Sequence, residues 1–123
     1  MTKKHILLVD DEAAVRALLC EVLGNAGYRV SEASSPRLAL QMAAAERPDL
    51  VITDLQMDET DGFEFIDALH AAAPKLPVIL LTGVMFDPVL IEKTLAGKIV
   101  CYIEKTTSLQ EILAKVRQHL GGS

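Results

Sequence analysis

Three aspartates stand directly after short apolar runs that predict β-strands. Asp10 and Asp11 follow the run Ile6–Val9, and Asp54 follows the run Leu50–Thr53. If these runs are parallel strands of one sheet, their carboxyl ends meet at one edge and the carboxylates lie close together. Two carboxylates about 5 Å apart repel each other by roughly 3 kcal/mol at an effective dielectric near 20. A bound cation therefore explains the cluster better than a purely structural role.

The cation that this cluster favours is Mg²⁺, which takes one or two carboxylates, several waters and phosphate oxygens. Asp11 and Asp54 are predicted direct ligands, and Asp10 is predicted to bind directly or through water. The backbone carbonyl of Gln56 is predicted to complete the protein's share. Asp11 alone would also fit a simple helix N-cap. Ca²⁺ is less favoured because the chain has no D-x-D-x-D-G loop followed by a bidentate glutamate.

Beside such a cation, Asp54 has the chemistry of a nucleophile towards a phosphoryl group. An aspartate carboxylate is ionised at neutral pH and needs no general base. Two further apolar runs, Val78–Leu81 and Ile99–Ile103, are followed by Thr82 and by Lys105 near the same predicted edge. Lys105 is predicted to pair with one phosphoryl oxygen, and Thr82 to donate its hydroxyl to another.

The elements that must position these residues are predicted by apolar runs alternating with amphipathic stretches, a pattern typical of βα units. We expect an α/β fold with a doubly wound, five-stranded parallel sheet in the flavodoxin-like order 2-1-3-4-5, which reverses between the first and third strands. The predicted strands are Ile6–Val9, Tyr28–Ala33, Leu50–Thr53, Val78–Leu81 and Ile99–Ile103. The predicted helices run from about Ala13 to Asn25, Pro36 to Ala45, Phe63 to Ala72, Asp87 to Gly97, and from Ser108 onward.

Three local signals support these helix limits. Gly27 is predicted to end the first helix as a C-cap. Ser35 is predicted to cap the second helix, whose first residue is Pro36. Ser108 and Glu111 match a capping box at the start of the last helix.

Bulk composition narrows the class of protein. The chain has 123 residues, half of them hydrophobic, and a formal net charge of −5. This length predicts one domain, assigned to residues 1–120, with 121–123 as a flexible end or linker stub. The negative charge argues against direct binding of nucleic acid or of an anionic membrane. Without a secretion-signal pattern or a membrane-length apolar stretch, and with Cys20 and Cys101 predicted to be reduced thiols, we expect a cytoplasmic protein.

Taken in order, the motifs of this chain resemble the receiver domain of two-component response regulators. The resemblance covers essentially the whole chain and is carried by Leu8-Val9-Asp10-Asp11-Glu12, Asp54-Leu55-Gln56-Met57, Asp61-Gly62, Leu81-Thr82-Gly83 and Tyr102-Ile103-Glu104-Lys105. It implies that Asp54 is the phosphoacceptor and that Asp10 and Asp11 are the acidic metal pair. It also implies that Thr82 and Tyr102 are switch residues and that Lys105 contacts the phosphoryl group.

The same resemblance implies a phosphoprotein of a phosphorelay. The phosphoryl donor would be a phosphohistidine of a sensor histidine kinase or histidine phosphotransfer protein. Partner binding would switch on the face of the fourth helix, fifth strand and last helix, towards a downstream effector or output domain. We expect a signalling domain rather than an enzyme, with only self-catalysed phosphotransfer and autodephosphorylation. Where the family usually has proline after the lysine, this chain has Thr106; a cis bond there would cost about 2.5–4 kcal/mol, and the sequence leaves the geometry of the Lys105–Thr106 bond open.

Other classes of protein fit the residues less well. The alternative function is a Mg²⁺-dependent phosphohydrolase that forms an aspartyl phosphate, but haloacid dehalogenase-type enzymes carry a D-x-D pair, whereas Asp10 and Asp11 are adjacent. A flavin or nucleotide binder would need a glycine- or hydroxyl-rich loop after the first strand. A receiver-shaped adaptor that is never phosphorylated would not need the complete set of Asp54, Thr82 and Lys105.

Overall fold

The computed structural model of this protein describes residues 3–54, 62–82, 89, 93 and 97–120. Its elements, in chain order, are β1 (His5–Val9), α1 (Ala13–Asn25), β2 (Arg29–Ala33), α2 (Pro36–Ala45), β3 (Leu50–Thr53), α3 (Gly62–Ala72), β4 (Val78–Thr82), β5 (Cys101–Glu104) and α4 (Leu109–Leu120). Three predictions fall largely or wholly outside the described residues: the helix between Asp87 and Gly97, the Gln56 ligand and the end at 121–123.

The strands form one parallel sheet in the order β2-β1-β3-β4-β5, which confirms the predicted fold. Alternate side chains of each strand enter two separate apolar cores, one on each face of the sheet. In β1, Leu7 and Val9 pack with α2 and α3, whereas Ile6 and Leu8 pack with α1 and α4. Because both faces are covered, the central strands are apolar at nearly every position, as parallel sheets require.

The end of α1 explains why β2 begins one residue later than predicted. Gly27 has a φ of 103°, and its N–H donates to the carbonyl of Gly24 at 3.1 Å. The N–H of Tyr28 donates to the carbonyl of Leu23 at 3.2 Å, which completes a Schellman motif. Gly27 therefore ends the helix as predicted, although the C-cap position itself is Ala26. Since the Tyr28 N–H is used by the helix, the strand ladder starts at Arg29.

The other predicted caps are also present. The Ser35 hydroxyl accepts a hydrogen bond from the Leu38 N–H at 3.2 Å, and Pro36 is the first residue of α2. The Ser108 hydroxyl accepts from the Glu111 N–H at 3.2 Å, at the start of α4. At α1 the N-cap residue is Glu12, so the reading of Asp11 as an N-cap is wrong.

The fifth strand is shorter at its start than predicted. It begins at Cys101 rather than at Ile99, since the register with β4 starts at the pair Ile79 and Cys101. Before it, Gly97 has a φ of 76°, and the Val100 N–H donates to the carbonyl of Val78 at 2.8 Å. Ile99 still packs against the core, but as part of the turn that enters the strand.

A buried histidine begins the first strand, at the end of the sheet opposite the aspartates. His5 is 6% exposed, and its Nε2 lies 2.7 Å from the Ser31 hydroxyl. Its Nδ1 has no hydrogen-bond partner in the described part of the chain and lies 3.6 Å from the Glu46 carboxylate. Burial lowers the pKa of His5, and Arg29 lowers it further, against the opposite effects of Glu46 and Asp49.

This pKa predicts a pH dependence of stability. The folded protein binds the His5 proton less readily than the unfolded chain, whose ordinary histidine pKa is 6.5. The contribution of the neutral His5 to the free energy of unfolding is therefore present in full above pH 6.5. It is lost as the pH falls through 6.5 towards the pKa of His5 in the folded protein. We expect the free energy of unfolding, measured by urea denaturation at three pH values between about 5.5 and 7.5, to fall with decreasing pH. The fall should be smaller in His5→Gln than in the wild type. His119→Gln should keep the wild-type loss, and an equal loss in all three proteins would contradict the prediction.

Candidate functional site

The strand register brings the predicted acidic residues to one edge of the sheet. Val9 pairs with Thr53 across β1 and β3, so Asp10 and Asp54 occupy the next positions of two neighbouring strands. The Asp54 N–H donates to the carbonyl of Val9 at 3.1 Å, which fixes the backbones of the two strands together at this point. The predicted site therefore lies where the strand order reverses, between β1 and β3.

Four carboxylates meet at this edge. One oxygen from each of Asp10, Asp11, Glu12 and Asp54 lies within 4.8 Å of all the others. Asp10 and Asp54 are buried at 1% and 4% exposure, whereas Asp11 and Glu12 lie at the rim. The sequence analysis predicted that the three aspartates form an acidic cluster, but it did not include Glu12 in that cluster. The signal that would have found it is its position directly after the aspartate pair, before the first turn of α1.

Lys105 lies in the middle of these carboxylates. Its Nζ is 2.8 Å from Asp54 Oδ2, 2.9 Å from Asp10 Oδ2 and 2.8 Å from Glu12 Oε1. Burial of its side chain, which is 14% exposed, would by itself lower the pKa of Lys105. The hydrogen bonds to Asp54 and Glu12 and the negative charge of the nearby Asp10 carboxylate outweigh this effect and raise the pKa above its ordinary value. Lys105 is therefore a permanent cation at neutral pH.

Asp10 is the most deeply buried of the four acids. Its Oδ1 accepts a hydrogen bond from the Glu12 N–H at 2.9 Å. Its Oδ2 accepts no well-aligned hydrogen bond from the described residues, although the Lys105 ammonium is 2.9 Å away. Burial raises the pKa of Asp10, against the opposing effects of the Glu12 N–H and Lys105. These two partners offset the effect of burial only in part, and a hard cation would favour the charged carboxylate further.

Neighbouring polar groups hold the backbone of the two buried aspartates. Arg16 Nη1 donates to the carbonyl of Asp10 at 2.6 Å, and Arg16 Nε lies 3.6 Å from the Glu32 carboxylate. The Thr53 hydroxyl donates to the carbonyl of Asp54 at 3.0 Å. With the backbones held in this way, Asp10 Oδ2 and Asp54 Oδ2 both face the Lys105 ammonium, while Asp10 Oδ1 accepts from the Glu12 N–H.

The remaining predicted site residues lie on β4 and β5. Thr82 is the last residue of β4 and pairs in register with Glu104, the residue before Lys105. Its backbone is therefore at the predicted edge. Tyr102 is partly buried and packs against the core on the α2 and α3 face. The bond between Lys105 and Thr106, whose geometry the sequence left open, is trans, and no cis peptide occurs among the described residues.

The donor set fits the predicted cation. All four side chains offer carboxylate oxygens, which are the ligands that Mg²⁺ prefers over softer metals. The buried Asp10 Oδ2 lacks a hydrogen-bond donor of good geometry within the described residues, as expected of an oxygen that binds a metal.

None of the described helices has the length and apolar composition needed to cross a membrane.

Comparison with known proteins identifies the family. Residues 6–117 match the model of the response regulator receiver domain. The chain belongs to this family. The response regulator MprA of Mycolicibacterium vanbaalenii is 37% identical over 116 residues, which cover 92% of this chain and 48% of MprA. The receiver domain described here thus spans about half the length of that relative.

Two further relatives match over more of their own length. Sporulation initiation phosphotransferase F of Bacillus subtilis is 35% identical over 83 residues, which cover 68% of this receiver domain and 67% of that protein. The structure of the Vibrio cholerae chemotaxis protein CheY4 aligns with a TM-score of 0.88 at 27% identity. That alignment covers 95% of this chain and 98% of the other.

The position of Lys105 predicts the effect of removing its charge. Lys105→Met leaves Asp10 and Asp54 buried and mutually repulsive, so we expect the free energy of unfolding without metal to fall by about 2 kcal/mol. Urea denaturation at neutral pH in the presence of a chelator measures this change.

The matched control is Lys98→Met, which removes an ammonium 2.5 Å from the exposed Asp67 carboxylate. We expect a loss of no more than about 0.5 kcal/mol, because exposed ion pairs contribute little. Equal losses in the two variants would show that Lys105 does not neutralise a buried acidic cluster.

Proposed function

We propose that this receiver domain accepts a phosphoryl group on Asp54 from a phosphohistidine, in a Mg²⁺-dependent reaction. The observation that carries the proposal is the contact of the buried Asp54 carboxylate with Lys105 at 2.8 Å, beside Asp10. A buried aspartate held next to a permanent cation suits the formation of an acyl phosphate. The relative from Bacillus subtilis that is named a phosphotransferase supports the same reaction class.

In the proposed step, a carboxylate oxygen of Asp54 attacks the phosphorus atom of the donor. The new bond joins that oxygen to phosphorus, and the bond between phosphorus and the histidine nitrogen breaks. The departing imidazole takes the electron pair and then a proton from solvent. Lys105 exchanges contacts with carboxylates for contacts with the transferred oxygens, so its charge is already in place and needs no reorganisation of water. The Thr82 hydroxyl is proposed to donate to another of these oxygens.

Asp10, Asp11 and Asp54 are the residues proposed to hold Mg²⁺, with the Gln56 carbonyl completing the set. When bound, Mg²⁺ supplies charge neutralisation for the phosphoryl oxygens. The role of the protein is to bring the three carboxylates together at the carboxyl ends of β1 and β3 before the donor arrives. The partly exposed rim formed by Asp11 leaves an approach for waters and for the donor.

We also propose that phosphorylation changes partner binding on the face of the helix predicted before β5, β5 itself and α4. An aspartyl phosphate carries about two negative charges and strong acceptor oxygens. Thr82 would move towards it, and Tyr102, which is partly buried against the core, would turn into the vacated space. The result is a shift between two populations rather than a new fold. The proposed partners are a sensor histidine kinase or histidine phosphotransfer protein and an effector or output domain, all in the cytoplasm.

Asp54→Asn tests the phosphoacceptor. We expect it to abolish labelling by a ³²P-phosphohistidine donor with Mg²⁺, because the amide is not a nucleophile, while circular dichroism shows an unchanged fold. Asp67→Asn, at an exposed aspartate of α3, should be labelled like the wild type. Stoichiometric labelling of Asp54→Asn at neutral pH would contradict the assignment.

A turnover assay tests the proposal that this is a signalling domain rather than an enzyme. We expect a small phosphate monoester with Mg²⁺ to give at most slow, near-stoichiometric release of phosphate, because a signalling domain hydrolyses only its own aspartyl phosphate. Measurement of phosphate release against time distinguishes the two functions. Rapid release over many turnovers, lost in Asp54→Asn, would instead support the Mg²⁺-dependent phosphohydrolase.

A further inference from the structure

The carboxylates of Asp10 and Asp54 that contact Lys105 are also carboxylates proposed to hold Mg²⁺. The ammonium contacts Asp10 Oδ2 at 2.9 Å and Asp54 Oδ2 at 2.8 Å. Magnesium binds its oxygen ligands at about 2.1 Å, closer than any ammonium hydrogen bond. A divalent ion held by these carboxylates would repel the ammonium and neutralise part of their charge. Lys105 would then lose part of its contact with Asp10 and Asp54.

Glu12 is the third partner of Lys105, and it differs from the other two. Its carboxylate lies 2.8 Å from Lys105 Nζ, but its side chain is 60% exposed, whereas those of Asp10 and Asp54 are 1% and 5% exposed. Glu12 thus stands on the solvent side of the ammonium, while the two aspartates stand on its buried side. Among the described partners of the ammonium, Glu12 is the one that stays available when the two aspartates are taken by the metal.

We propose that Glu12 is a positioning residue that retains Lys105 beside the site when Mg²⁺ displaces it from the aspartates. This inference rests on the Mg²⁺ site proposed above and assigns to Glu12 a role distinct from that of a metal ligand. Without metal, Lys105 has three carboxylate partners, and the loss of one is partly compensated by the other two. With metal, Glu12 is the partner that remains, so its contribution is larger in the metal-bound state. Glu12 consequently increases Mg²⁺ affinity through Lys105.

A double-mutant cycle separates this role from direct coordination. The variants are Glu12→Gln, Lys105→Met and the two combined, and Mg²⁺ affinity is measured by isothermal titration calorimetry at constant ionic strength. We expect Glu12→Gln to weaken Mg²⁺ binding about fivefold when Lys105 is present. In the Lys105→Met background the same change should have a much smaller effect, because there is no ammonium left to position. Thermal melting checks that each variant is folded.

Glu104→Gln is the matched control for the loss of one negative charge. Glu104 is exposed and precedes Lys105 on the same edge of the sheet. We expect its effect on Mg²⁺ affinity to be small and the same with and without Lys105. In the Lys105→Met background, Glu12→Gln should weaken binding no more than Glu104→Gln does.

The possible outcomes are distinct. If Glu12→Gln weakens Mg²⁺ binding equally with and without Lys105, Glu12 acts as a ligand or as a plain charge, and the inference is overturned. If it weakens binding no more than Glu104→Gln in both backgrounds, the inference is also overturned, while the proposed Mg²⁺ site stands. Failure of the wild-type protein to bind Mg²⁺ would overturn both the inference and the metal site.

Discussion

The ion pairs of Lys105 with Asp10 and Asp54 balance the charge of a site that the fold would otherwise leave strongly repulsive. Lys105 lies 51 residues after Asp54 in the sequence, yet their charged atoms are 2.8 Å apart. The two aspartates are almost completely buried, so water screens their repulsion poorly. This one cation follows directly after β5 and contacts the carboxylates of Asp10 and of the rim residue Glu12.

The buried polar groups at the two ends of the sheet are stabilised in different ways. At the carboxyl end, acidic side chains are concentrated, and the positive charge of Lys105 stabilises the buried carboxylates of Asp10 and Asp54. At the amino end, His5 is buried with a pKa lowered by burial and by Arg29, so the neutral imidazole is favoured. The neutral group needs only the Ser31 hydroxyl as a close partner. The acidic cluster therefore lies at the carboxyl end of the sheet, while His5 at the amino end contributes a pH-dependent part of the stability.

Local signals in the sequence were sufficient for most element limits. Ser35 and Ser108 cap their helices through hydrogen bonds to residues three positions later, an interaction that depends on neighbouring residues alone. The start of β5 was misjudged because Ile99 is apolar and enters the core without joining the ladder. An apolar side chain reports burial, but strand pairing depends on backbone hydrogen bonds that composition does not reveal.

The sequence by itself determined the alternation of strands and helices, the family resemblance and the convergence of Asp10, Asp11 and Asp54, because parallel strands must present their carboxyl ends at one edge. Only the tertiary structure decided which charges touch. The inclusion of Glu12 in the cluster, and the placement of Lys105 among three carboxylates, depend on side-chain positions across β1, β3 and β5. Such contacts are set by register and burial over long sequence separations, and no local pattern encodes them.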